Sequence, residues 1–332
     1  MKGLAMQLVQ KNDIQYYTVD GLEEMQETLL RQLAIVDEVC RENGLRYWLD
    51  GGTLIGAMRH GGPIPWDDDM DICVPKDDWD RLMPLLYERC KTDEERLLFF
   101  YPDNSDRLWA EYFGSLKMLV KAAPGWLPVR LDIAPMKMYP NTQESIDKER
   151  AMSRMLTYCS TGFKYDDSQP SLSREQKAAF RKYYYNEYAA DLMRQCEGLD
   201  ADQLCVNNFT RENTNQHHLY SNIFPLQDMA FGDLSVMIPA KPEEYLGYYD
   251  DWRRLPDLPD RCPVNERFVR NEGVLSKQQA EKTIRRYYSR LDERVTLRGR
   301  VREMLLLGMS HGPAPVFKRV MKAWARKRPI FR

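Results

Sequence analysis

Acids set inside an apolar strand constrain this chain more than any other feature of it. In residues 47–74, YWLDGGTLIGAMRHGGPIPWDDDMDICV, Asp69 and Asp71 alternate with Met70 and Ile72. Side chains alternate across a strand, so a strand here turns both carboxylates to one face and sends Met70 and Ile72 into a core. Two anions a few ångströms apart repel unless one takes a proton or a cation sits between them. Hard divalent cations such as Mg2+ prefer oxygen ligands of this kind. The spacing predicts a metal site.

Upstream, residues 47–49 read as an apolar strand, Gly51-Gly52 as a turn and residues 53–60 as a short helix. A turn without Cβ atoms lets backbone N–H groups come close to a phosphate, and the helix presents its positive end to the same anion. Alone, a glycine pair is an ordinary turn and an acidic run an ordinary solvated loop. Their conjunction, with the acids interleaved among apolar residues, predicts a phosphate and metal cradle.

A length of 332 residues allows one large or two modest domains with a real core, and 43% hydrophobic with 30% charged residues is the balance of a soluble globular protein. The net charge of −2 hides an asymmetry. From Val295 onward ten Arg/Lys stand against one acid, Glu303, so the preceding body is strongly acidic. That distribution argues against a nucleic-acid-binding surface spread over the fold and suits a basic tail that meets an anionic partner. After Pro315, the apolar residues Val316, Phe317, Val320, Met321 and Trp324 share a helical face among cations. Such a face either packs on a core or lies in a membrane interface. The seven cysteines are scattered, with no CxxC or Cys/His cluster, and read as reduced thiols. No apolar run approaches the roughly 18 residues of a membrane span, so the expected location is cytoplasmic, with the inner membrane face open to the tail.

Along the chain, Asp20 reads as the cap of a helix whose Leu22, Met25, Leu29, Leu33, Val36 and Cys40 recur at steps of three and four, ended by Asn43-Gly44. A helix follows Pro75, then strands at 97–101, 112–120 and 129–133. Asp132 is a lone acid between Leu131 and Ile133. If its strand neighbours the one with Asp71, a third carboxylate joins the site; otherwise it is an edge or cap residue. Lys117, between Leu116 and Met118, reaches a phosphate or faces solvent. Residues 144–159, 174–196 and 201–212 read as helices, with Tyr183, Tyr184, Tyr185 and Tyr188 as packing residues. A strand at 235–238 and a helix at 241–251 follow, then helices at 277–294 and 297–307. The expected organisation is a catalytic core at 1–140, a helical insertion at 141–222, a return to the catalytic domain at 223–275 and C-terminal helices at 276–332.

The block GGTLIGAMRHGGPIPWDDDMDICVPKDDWDRL resembles the signature of the LicD family, the choline-phosphate transferases and relatives that include fukutin and fukutin-related protein. RLDIAPMKMYP is similar to that family's apolar-Asp-Ile-Phe-Pro element, and the stretch from IFPLQDMAFGD to YLGYYDDWRRLP is similar to its later Phe-Glu-Gly and Tyr-Gly-Asp elements. Ala134 replaces the usual Phe, Gly232-Asp233 follows Phe231 in place of Phe-Glu-Gly, and Tyr249-Asp250 stands in place of Tyr-Gly.

The resemblance implies an α+β, nucleotidyltransferase-like fold: a mixed sheet flanked by helices, here with an added helical region. It also implies roles. Gly51, Gly52 and Thr53 would cradle the donor's phosphates, with Arg59, His60 and Lys117 neutralising them. Asp67, Asp69, Asp71 and Asp132 would hold Mg2+ or Mn2+, with Asp69, Asp71 and Asp132 catalytic. The expected reaction moves a phospho-alcohol, phosphocholine from CDP-choline first among them, onto a hydroxyl of a glycan or lipid-linked glycan such as lipopolysaccharide, teichoic acid or capsule. The alternatives are a nucleotidyltransferase releasing pyrophosphate and a non-catalytic nucleotide- or glycan-binding member.

Overall fold

A computed structural model describes residues 6–92, 97–100, 111–122, 125–161, 170–208, 217–249 and 251–263. The C-terminal helices and basic tail expected from the sequence lie outside these residues.

The chain opens with an antiparallel hairpin, β1 (Gln7–Lys11) and β2 (Ile14–Thr18). Helix α1 (Leu22–Glu42) follows. All six apolar residues that mark its periodicity are buried, and Asn43 closes it. Its N-cap is Gly21, at φ 87°, not the expected Asp20. A left-handed residue at that position turns the chain into the helix without a side-chain cap.

Next come β3 (Trp48–Leu49), α2 (Gly51–His60), β4 (Met70–Pro75), α3 (Lys76–Thr92), β5 (Leu97–Phe100), β6 (Glu111–Ala122) and β7 (Gly125–Pro140). The sheet runs β3-β4-β7-β6-β5. Only β4 and β7 in that path pair parallel; the other pairings are antiparallel. α1 lies against β6 and β7, and α3 against β4, β5 and β7. The mixed sheet flanked by helices is therefore the one expected, and its core gathers Trp48, Leu49, Met70, Ile72, Leu131 and Ile133 with the apolar face of α1.

Strand β7 is the backbone of this arrangement. Residues 125–133 pair with β6 on one edge and residues 131–136 pair with β4 on the other. Where β6 ends, β8 (Leu204–Asn208) takes over its edge from Met136 to Pro140, and β9 (His218–Leu219) pairs with β8.

Helices α4 (Gln143–Thr161), α5 (Arg174–Tyr183) and α6 (Ala189–Gln195) build the expected helical region, with a π-helical turn at Tyr184–Tyr188 between the last two. Residues 201–208, the described part of the helix expected at 201–212, are not an α-helix. A 3-10 turn at Ala201–Gln203 gives way at once to β8, because Leu204, Cys205 and Val206 find a strand partner in β7. Tyr184 and Tyr188 are buried as packing residues and close over an ion pair: Lys137 Nζ lies 2.6 Å from Glu149 Oε1, both fully inside. Tyr188 donates to the second Glu149 oxygen at 2.9 Å, and Ser153 donates to the first at 2.6 Å. Burial pushes the Lys137 pKa down, against the pull of Glu149.

After α7 (Tyr220–Ile223), a hairpin of β10 (Gln227–Phe231) and β11 (Leu234–Ile238) supplies the strand expected at 235–238, with a partner strand the sequence did not suggest. The helix expected at 241–251 is shorter: α8 (Pro242–Tyr245) and a 3-10 turn at Leu246–Tyr248.

Candidate active site

Helix α2 starts at Gly51, so Gly51-Gly52 form its first turn and not a turn ahead of it. The carboxylate of its N-cap, Asp50, does not cap the helix. It instead accepts a 2.8 Å hydrogen bond from the Tyr245 hydroxyl. The start of α2 grips β4 at one residue. The Asp50 N–H donates to the Asp71 carbonyl at 3.1 Å, and the Asp71 N–H donates to Thr53 Oγ1 at 2.9 Å. Thr53 is buried there.

Strand β4 begins at Met70, so Asp71 is in the strand and Asp69 just before it. The pleat alternation that sets Asp71 opposite Met70 and Ile72 does not extend to residues 67–69. In that loop the carboxylates of Asp67, Asp68 and Asp69 draw together, with oxygens within 4.8 Å of one another. Gln26 of α1 holds the loop in place, its Nε2 donating to the carbonyls of Ile64 and Asp67 at 3.0 and 2.8 Å. Asp67 is pushed up to about 8, first by burial and then by the charges of Asp69 and Asp68. A buried acid in that state needs a proton or a cation, and an all-oxygen set suits a hard divalent ion.

Asp132 stands beside Asp71, on β7. It is the register partner of Asp71, as Leu131 is of Met70 and Ile133 of Ile72. The apolar partners are buried, so the two aspartates share the opposite face. The sheet thus brings together the acids that are 61 residues apart in sequence.

The first turn of α2 meets this cluster. A Cβ on Gly52 would lie 3.0 Å from Asp67 Oδ2, and one on Gly51, at φ +50°, would lie 3.1 Å from the Tyr249 hydroxyl. Glycine alone allows both side chains that approach.

Arg59 and His60 stand apart. They occupy the last turn of α2, about 12 Å from Gly51 along the helix axis. Arg59 Nη1 donates to the carbonyls of Trp252 and Arg254 at 2.7 and 3.0 Å, and its Nε donates to His60 Nε2 at 3.0 Å. Burial, then Arg59, pushes His60 down to about 4, which leaves it neutral. Lys117 belongs to β6 between Ser115 and Leu119, where the register with β7 shifts; its side chain lies outside the described residues.

Three residues at the site carried no sequence assignment: Asp50, Asp68 and Tyr249. Asp68 sat in the Asp67–Asp69 run but was set aside by a strand alternation that does not hold there. Nothing in spacing distinguishes Tyr249 from the other 18 tyrosines.

Residues 44–111 match the domain described as LicD/FKTN/FKRP, nucleotidyltransferase domain. Over 95 residues, 29% of this chain, the sequence is 34% identical to the lipopolysaccharide cholinephosphotransferase LicD of Haemophilus influenzae, and the match spans 34% of that protein. Over 35 residues, 10% of this chain, it is 57% identical to human ribitol 5-phosphate transferase FKRP, of which it spans 7%. A stretch of 67 residues is 33% identical to mannosyltransferase regulator 4 of Saccharomyces cerevisiae, 6% of that protein. The chain therefore spans about a third of the cholinephosphotransferase and far less of the two eukaryotic proteins. The matched domain holds the first turn of α2 and the acids of residues 67–71, and it is this segment that is similar to the LicD family.

Proposed function

We propose that this chain is a metal-dependent transferase that moves a phospho-alcohol group from a CDP-alcohol, phosphocholine from CDP-choline first, onto a hydroxyl of a cell-surface glycan or its lipid-linked precursor. The observation that carries the reading is the convergence of Asp71 and Asp132 from neighbouring strands, with Asp71 and the Asp67–Asp69 loop inside the segment 44–111 that matches the LicD/FKTN/FKRP domain.

Asp67, Asp69, Asp71 and Asp132, with Asp68 beside them, are the residues that would hold Mg2+ or Mn2+. Such an ion, when bound, neutralises phosphate oxygens and the charge on the leaving group. The remaining work belongs to the chain. The N–H groups of the first turn of α2 and the hydroxyl of Thr53 orient the donor's phosphates. Asp132, on the strand beside Asp71, would accept the proton of the acceptor hydroxyl. Phosphoryl transfer asks a protein mainly for such positioning. No helix among the described residues is long and apolar enough to cross a membrane. The basic tail would give a peripheral contact near a lipid-linked acceptor.

The test is product analysis after incubation with CDP-choline, CDP-ethanolamine, CDP-ribitol and CDP-glycerol, Mg2+ and a glycan acceptor. CMP release that requires Mg2+ is the expected result. Pyrophosphate release from CTP would favour nucleotidyl transfer, and no release from any donor would favour a binding protein.

A further inference from the structure

The functional reading leaves one side chain at the site without a task. Tyr249 follows the 3-10 turn at Leu246–Tyr248, and two anchors fix that segment. On one side the Tyr245 hydroxyl donates to Asp50 and accepts from Trp48 Nε1 at 3.0 Å. On the other, Arg59 reaches from the far end of α2 to the Trp252 and Arg254 carbonyls. Held between them, the Tyr249 hydroxyl stands 3.1 Å from the point where a Cβ of Gly51 would lie.

Tyr249 is 37% exposed, so packing does not explain it. Its second face is supported by Tyr248, with ring centroids 4.4 Å apart. The hydroxyl end is buried. That burial raises its pKa, Tyr248 opposes the rise, and the charges of Asp50, Asp71 and Asp67 add to it. The phenol thus remains a neutral donor among carboxylates, beside the first turn of α2.

We infer that Tyr249 is a substrate-contacting residue: its hydroxyl donates to a phosphate oxygen of a nucleoside diphosphate donor at the first turn of α2, and its exposed ring face flanks the alcohol carried on that phosphate. The assignment rests on the transferase reading. A hydroxyl serves here better than a cation, because it adds a donor to the phosphate without drawing Asp50 or Asp67 away from their own partners. A donor to a charged acceptor is stronger than one between neutral groups.

The experiment is calorimetric titration of CDP with Mg2+ into the wild-type chain, Tyr249→Phe and Tyr183→Phe. Tyr183 serves as a control because it is 42% exposed on α5. Phenylalanine keeps the ring, and a melting curve for each variant checks the fold. Tyr249→Phe should weaken CDP binding about 10- to 100-fold, the range for one hydrogen bond to a charged group, with Tyr183→Phe unchanged. If Tyr249→Phe binds within twofold of wild type, the assignment of Tyr249 fails and the transferase reading stands. If the wild-type chain binds no CDP, the transferase reading fails and takes this assignment with it.

Discussion

Asp71 and Asp132 are register partners across the parallel pair β4 and β7, so two carboxylates face the same way from adjacent strands. Strands lie about 4.8 Å apart, and like charges at that distance destabilise a fold that has nothing between them.

Removing either charge should therefore separate stability from activity. Asp71→Asn and Asp132→Asn are expected to melt at the same temperature as wild type in EDTA, or a few degrees higher, while CMP release falls by 100-fold or more. Melting curves in EDTA beside a product assay check this. A lowered melting temperature would mark the replaced acid as a structural one.

The metal should show itself without turnover. A ligand that binds only the folded state stabilises it by about 2.7 kcal/mol at 100 times its Kd. Mg2+ is thus expected to raise the wild-type melting temperature. Asp69→Asn should blunt that rise, and so should Gly52→Ala, whose new Cβ would press on Asp67 Oδ2 from 3.0 Å. An undiminished rise in both variants would remove the 67–69 loop from the metal site.

The buried pair of Lys137 and Glu149 makes a different prediction, because neither residue touches the acidic site. Lys137→Met strands the Glu149 carboxylate, 0% exposed, and should cost about 3–5 kcal/mol. Adding Glu149→Leu removes the stranded charge and should recover much of the loss. Denaturant unfolding of the single and double variants measures both.

His218 gives the fold an acid sensitivity. Its ring stacks on Tyr245 at 3.9 Å, and burial, with His217 nearby, pushes its pKa from 6.5 down to about 3. Between those values the unfolded chain holds a proton that the folded chain does not, so stability falls as pH falls from 6.5 toward 3. By pH 5 the loss should be about 2 kcal/mol. His218→Phe is expected to lose less stability than wild type between pH 7.5 and pH 5 in matched thermal melts. An identical loss would assign the acid sensitivity to other groups.

The helices were legible where apolar periodicity was long, as in α1. β7 was read only at residues 129–133, because Pro128 and Pro135 look like breakers. The sheet accepts both, since Pro128 stands opposite Leu119 where the register shifts and Pro135 pairs in a parallel ladder with Val74. The misread at 201–208 has a similar origin. Asp200 and Gln203 do form a capping box, the usual opening of a helix, but the turn they cap is three residues long. At the site, the acids and glycines could be read because their chemistry is local in sequence. Tyr249 could not, since its meaning lies in a contact with Gly51 that only the tertiary fold creates.

The hydrogen bond from Tyr245 to Asp50 spans 195 positions. A ribosome adding about 5–20 residues per second needs roughly 10–40 seconds to travel that distance. During that interval the nascent chain gains the first turn of α2 and then its acids, while Trp48 Nε1 and the Asp50 carboxylate wait for the phenol that will join them. The hydrogen bonds that fix the start of α2 are thereby completed only once nearly all the described chain has emerged.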